Sequence, residues 1–229
     1  MNAPHIIVNP IKAVIFDMDG LLLDTEGIYT EVIQIIAQRY GRTYDWSIKQ
    51  HIIGCGAQDL AKYIVKALDL PITPDEFLVI REPLMSERFS NTVSMPGAEE
   101  LVRHLKAHNI LIAVGTSSSR NLFNHKTALH REWFGLFDTI VAADDQEISA
   151  AKPAPDIFLA AAHRLSVAPE DCLVFEDSPF GVTAAKVAKM TAIAIPDEAM
   201  ANSKYKHADQ IIRKLADFDL AAYGLPPIC

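Results

Sequence analysis

Two aspartates one residue apart, Asp17 and Asp19, are followed by Gly20 and stand directly after a short apolar run, Ala13–Phe16. Three more reactive stretches follow later apolar runs: Thr116-Ser117-Ser118-Ser119, Lys152-Pro153 beyond Asp144-Asp145, and Glu176-Asp177-Ser178-Pro179. Carboxylates, hydroxyls and one lysine brought together are what metal-assisted phosphoryl transfer requires. A phosphate monoester is a dianion that repels a carboxylate nucleophile, so a divalent cation must neutralise charge between them. Mg²⁺ prefers hard oxygen ligands and keeps several waters, so two or three acidic residues suffice. A second carboxyl must give a proton to the leaving alkoxide and then take one from water. A lysine point charge stabilises the pentavalent oxygens, and hydroxyls with backbone N–H groups at a helix start hold the phosphate. Asp17-Met18-Asp19-Gly20 does not continue as a calcium loop, which needs oxygen ligands at alternate positions; Leu21-Leu22-Leu23 follows instead.

These stretches reach one another only if the right elements carry them. The runs Ala13–Phe16, Ile110–Val114, Thr139–Ala142, Leu173–Phe175 and Ala192–Ile195 are short and apolar on both alternating faces, the pattern of parallel strands covered on both sides. Helical spacings separate most of them: Leu101, Val102 and Leu105; Ile157, Ala160, Ala161 and Leu165; Val182, Ala185 and Ala188. The fold class is therefore α/β, a doubly wound parallel sheet with helices on both faces. In such sheets ligands bind beyond the carboxyl ends of the strands, where the reactive stretches stand. About ninety residues separate the first two strands, too many for a simple crossover. Ile28, Val32, Ile35 and Ile36 fall on one helical face, as do Leu60, Ile64, Ala67 and Leu68, and Phe77, Ile80 and Leu84 begin a third. The expected organisation is an α/β core formed by residues 1–22 and 93–229, with a helical cap at 23–92.

Composition narrows the function. Half of the 229 residues are hydrophobic and 22% are charged, which excludes a disordered chain. The formal net charge of −8 argues against nucleic acid or an anionic membrane as the partner. Cys55, Cys172 and Cys229 are far apart, with neither a disulfide framework nor zinc-ligand spacing. Met1–Pro10 has no secretory pattern, and no apolar run approaches the roughly 18 residues of a membrane span. The expectation is a cytoplasmic protein, monomer or weak dimer, acting on a small phosphorylated metabolite.

Asp17-Met18-Asp19-Gly20, Thr116, Lys152-Pro153 and Glu176-Asp177, in that order and with a long helical insert after the first, resemble the motifs of the haloacid dehalogenase-like hydrolase superfamily. The resemblance covers nearly the whole chain. It implies a Rossmann-like core with an inserted cap, and an Mg²⁺-dependent phosphatase. It also implies roles: Asp17 as nucleophile, Asp19 as general acid/base, Thr116 and Ser117 binding phosphate, and Lys152 stabilising charge. Asp177 would ligate Mg²⁺ with the Asp17 carboxylate and the Asp19 backbone carbonyl, supported by Glu176. Within the superfamily, Phe16–Glu26, Met95–Glu99, Lys152–Leu159 and Cys172–Asp177 are similar to the pseudouridine-5′-phosphatase branch, which implies pseudouridine 5′-phosphate as substrate. Glycerol phosphate and sugar phosphates are the alternatives of the same class, and a non-catalytic phosphometabolite-binding module is the alternative of another class. Cap loops select substrates in this family, which makes Gly54 and Gln58 candidate substrate contacts. A related mutase carries a histidine where this chain has Tyr29.

Overall fold

The computed structural model describes residues 10–228; the stretch before Pro10 and Cys229 lie outside the described residues. The chain enters strand β1 (Ala13–Phe16), makes a two-residue strand β2 (Leu23–Asp24), and runs through four helices, α1 (Glu26–Arg39), α2 (Trp46–Lys49), α3 (Ala57–Ala67) and α4 (Pro74–Arg88). It returns through β3 (Val93–Ser94), α5 (Ala98–Ala107), β4 (Leu111–Gly115), α6 (Arg120–Lys126), α7 (Arg131–Phe134) and β5 (Thr139–Val141). Helix α8 (Asp156–Leu165), β6 (Cys172–Glu176), α9 (Pro179–Val187), β7 (Thr191–Ala194) and β8 (Gln210–Ile211) complete it.

Six strands form one parallel sheet in the order β5-β4-β1-β6-β7-β8. Its centre is β1, with Phe16 opposite Val114 on one side and Phe175 on the other. Every residue of β1 and β6 is buried, because both faces of the sheet are covered. Val14, Phe16, Leu173 and Phe175 pack with Leu101, Val102 and Leu105 of α5 on one face. Ala13, Ile15, Cys172 and Val174 pack with α8 and α9 on the other. This alternation is the period-2 geometry of a strand applied to continuous apolar runs.

The segment between β1 and β4 builds a separate apolar cluster from α1, α3 and α4, including Val32, Ile36, Leu60, Ile64, Phe77 and Met85. At its two ends β2 pairs antiparallel with β3, Leu23 opposite Ser94 and Asp24 opposite Val93. The sequence spacing misplaces parts of these faces. Ile33 is buried in α1 while Ile35 is only half-buried, and Ala67 of α3 is exposed. In α4 the buried line is Phe77, Arg81 and Met85, not Phe77, Ile80 and Leu84. The line is rotated by about one residue because the packing of α4 on α1 and α3 decides which stripe turns inward. Strand β8 escapes a sequence reading because it is two residues long and half polar.

Candidate active site

From β1 the chain builds β4 and β5 on one side and then crosses through α8 to build β6, β7 and β8 on the other, which makes the carboxyl end of β1 the switch point of the sheet. Asp17 extends β1, its N–H donating to the Phe175 carbonyl at 3.0 Å. Lys152 arrives from the loop between β5 and α8. Its ammonium donates to Asp17 Oδ1 at 2.5 Å, Glu176 Oε1 at 2.6 Å and the Gly115 carbonyl at 3.1 Å. All three N–H bonds are spent on acceptors in a buried site. Burial favours neutral lysine, but the charges of Asp17 and Glu176 outweigh it and hold the ammonium charged.

Asp17, Glu176 and Asp177 bring carboxylate oxygens within 4.8 Å of one another, all buried. Burial, with the charges of Glu176 and Asp19, outweighs the pull of Lys152 and raises Asp17 to about 7. Asp177 is raised well above the carboxylate range, first by burial, then by Glu176 and Asp17. Glu176 has no free oxygen, since Oε1 takes Lys152 and Oε2 accepts from Ser178 N–H at 2.8 Å and Ser178 Oγ at 3.0 Å. Ser178 Oγ in turn accepts from Gly181 N–H at 2.9 Å, capping α9. No hydrogen bond or ion pair among the described residues reaches the Asp177 carboxylate. Three carboxylates against one ammonium leave an excess of negative charge, and the donor set of Asp17 and Asp177 fits a hard divalent cation. Gly20 permits this arrangement: its backbone is left-handed at φ 81°, and a Cβ there would fall on the Asp177 carboxylate.

Asp19 is in a different environment. Its Oδ1 accepts from Thr25 Oγ1 at 2.7 Å and from Lys126 Nζ at 2.5 Å, and its Oδ2 accepts from Ser118 Oγ at 2.9 Å. Burial would raise it, but the Lys126 charge and these bonds prevail and hold it below the usual range. Lys126 is fully buried and also donates to Tyr29 Oη at 2.6 Å and Ser118 Oγ at 2.7 Å. The Phe89 ring centre is 4.7 Å from its nitrogen, and the Tyr29 ring centre 4.8 Å. A cavity of about 360 Å³ separates the sheet end from the helical layer, with Asp17, Asp19 and Asp177 at its floor and Tyr29, Leu60 and Arg81 in its roof.

The pattern that defines haloacid dehalogenase-like hydrolases matches residues 11–189. The chain belongs to this hydrolase family. It is 42% identical over 223 residues to a probable pseudouridine-5′-phosphatase of Drosophila melanogaster, covering 96% of each chain. It is 44% identical over 222 residues to (DL)-glycerol-3-phosphatase 2 of Arabidopsis thaliana, covering 95% of this chain and 92% of that one. Its fold is that of CbbY from Rhodobacter sphaeroides in complex with phosphate, with a TM-score of 0.78 at 23% identity over 94% of this chain and 100% of that one. Relatives and site together are those of phosphoric monoester hydrolases.

In this hydrolase the residues singled out from the sequence occupy different depths. Asp17, Asp19, Ser117 and Asp177 line the cavity; Lys152 and Glu176 are buried beneath it. Thr116 is buried too, its Oγ1 accepting from Ser118 N–H at 3.0 Å. Gly54 lines the cavity with its backbone against Ser178, a contact between the cap-loop stretch and the α9 cap. Gln58 does not join the lining; it is exposed and donates to Asp75 at 3.3 Å. Cys55 lines the cavity, but burial pushes its thiol up to about 11, away from nucleophilic chemistry. The sequence reading assigned no role to Thr25, Ser118, Lys126 or Arg81. Ser118 stood within the reactive stretch Thr116–Ser119 and Thr25 within Phe16–Glu26, Arg81 left a signal as an arginine in line with Phe77 and Met85 at helical spacing, and Lys126 left none.

Proposed function

We propose that this hydrolase is an Mg²⁺-dependent phosphatase that cleaves a small phosphomonoester through an aspartyl-phosphate on Asp17. The observation that carries this reading is the Asp17 carboxylate at the floor of the cavity, with Lys152 bonded to Oδ1 and the unpartnered Asp177 carboxylate beside it. In the first half of the reaction an Asp17 oxygen bonds to phosphorus, the ester P–O bond breaks, and Asp19 protonates the leaving oxygen. In the second half Asp19 takes a proton from water, the hydroxide attacks phosphorus, and Asp17 is released with inorganic phosphate. Asp19 is held ionised at rest, ready as the base of the second half; the Lys126 ammonium, raised by the same pairing, keeps its own proton, so Asp19 takes up the proton it gives the leaving oxygen from solvent before the acid half. Lys152 orients Asp17 and offsets charge on the phosphoryl oxygens. Thr116 and Ser117 bind the phosphate, and Thr116 Oγ1 also fixes the turn by accepting from Ser118 N–H. Asp17, Asp177 and the Asp19 backbone carbonyl would hold Mg²⁺, which supplies charge neutralisation for the dianion; Glu176 braces Lys152 and the start of α9.

In this reading residues 23–92 act as a cap and residues 1–22 with 93–229 as the core, and the chain works in the cytoplasm as a monomer or weak dimer. Pseudouridine 5′-phosphate is the first candidate substrate. It is supported by the Drosophila relative and by a roof of apolar and aromatic side chains suited to a planar base. Glycerol phosphate is the second, supported by an Arabidopsis relative of equal similarity. Phosphate release from pseudouridine, uridine, glycerol and hexose phosphates, with and without Mg²⁺, tests both. Mg²⁺-dependent release fastest with pseudouridine 5′-phosphate is expected. A maximum at glycerol 3-phosphate selects the second substrate, and no release from any of them leaves only the binding-module alternative.

A further inference from the structure

Among the described residues Arg81 is a guanidinium without a hydrogen-bond or ion-pair partner, with the charges of Glu82 and Asp19 acting on it only at longer range. It projects from the middle of α4 between Phe77 and Met85, both fully buried, and is itself only 6% exposed. Its Nε has no hydrogen-bond partner, and no carboxylate of the described residues forms an ion pair with it. Its contact on the protein side is the face of Tyr29, with the guanidinium carbon 5.9 Å from the ring centre. Its other side is the cavity, across which Asp17 lies. A buried charge left unpaired is costly, and native proteins keep such groups where something else completes them. Five N–H donors in a rigid plane match a pair of coplanar oxygens.

We propose that Arg81 reads the far end of the substrate, and that this end carries oxygen acceptors for the guanidinium. A carboxylate or a second phosphate meets the fork with two oxygens, and a uracil-type ring meets it with one carbonyl, because an N–H donor lies between its two. The assignment rests on the phosphatase reading: with phosphorus at Asp17, the leaving group spans the cavity toward α4. Arg81 thereby sets which alcohols are accepted and does not touch the reacting atoms.

The test is kcat/KM for wild type, Arg81→Met and Arg81→Lys with Mg²⁺ on four substrates. Pseudouridine 5′-phosphate carries the imide, phosphoglycolate the carboxylate, fructose 1,6-bisphosphate the second phosphate, and methyl phosphate none of them. In Arg81→Met the ratio of at least one acceptor-bearing substrate to methyl phosphate should fall about ten- to a hundredfold, mostly through KM, with partial recovery in Arg81→Lys. The substrate whose ratio falls identifies the group. Ratios unchanged for all three, or a parallel loss on methyl phosphate, overturn the proposal. Thermal unfolding without substrate gives a readout independent of turnover. Arg81→Met should raise Tm, because it removes an unpartnered buried charge; a lowered Tm means the guanidinium has a structural role and overturns the assignment. Absence of phosphate release by wild type defeats the phosphatase reading alone, and the Tm comparison then still decides Arg81.

Discussion

At the residue scale, two carboxylates two positions apart are held in opposite states. Burial and neighbouring anions raise Asp17, while Lys126, Thr25 and Ser118 hold Asp19 below its ordinary range. Asp17→Asn should abolish turnover and leave the protein folded, since Lys152 keeps Glu176 and the Gly115 carbonyl; phosphate release and circular dichroism check the two halves. Lys152→Met should both abolish turnover and destabilise. It leaves clustered carboxylates without their ammonium, a loss of about 3–5 kcal/mol for a broken buried pair, measurable by urea unfolding. Lys126→Met bears on the charge of Asp19. Without the ammonium, burial raises the Asp19 carboxyl, so the pH profile of kcat should move to higher pH. A profile that stays in place would mean that Lys126 does not set the charge of Asp19.

At the scale of elements, the site depends on turns that seat one carboxylate against another. Gly20 follows Asp19 in a left-handed conformation and leaves room only for the Asp177 carboxylate. Gly20→Ala should cost about 1–2 kcal/mol in backbone conformation alone and displace Asp177 as well. The variant should lose the Mg²⁺-induced rise in Tm expected of wild type. Five strands of the sheet were legible within one or two residues, because runs such as Ala13–Phe16 are buried on both faces and their composition shows it. The helices of the insert were legible as helices, but the inward stripe of α4 was not. Ile80 and Leu84 are as apolar as Phe77 and Met85, and only the neighbouring helices decided that Arg81 turns in and Ile80 stays half-buried. The pairing of β2 with β3 was equally hidden, since each strand is two residues long and about seventy residues of chain lie between them.

For the whole molecule, the gathered acids couple stability to pH and to the cation. Asp17 sits near 7 when folded against its ordinary 3.8, so the folded state binds the extra proton. The stability this contributes is present below about pH 4 and is lost as pH rises toward 7; Asp177 acts in the same direction. A divalent cation binds the deprotonated carboxylates and should reverse that loss. The rise in Tm on adding Mg²⁺ should therefore be larger at pH 7.5 than at pH 5. A rise independent of pH would mean that the cation does not bind at Asp17 and Asp177.

The sequence by itself determined the α/β sheet, the helical insert and the reactive ends of the strands. Continuous apolar runs and short reactive motifs are local, and their order along the chain survives without coordinates. Only the tertiary structure decided which groups meet across long separations. Lys126 reaches Asp19 over 107 residues and Lys152 reaches Asp17 over 135. It also decided that both Glu176 oxygens are hydrogen-bonded, that Gln58 is exposed, and that Arg81 lines the cavity with its Nε unpartnered. The physical reason is that charge state and side-chain partnership depend on distance and burial, which packing sets and composition does not encode.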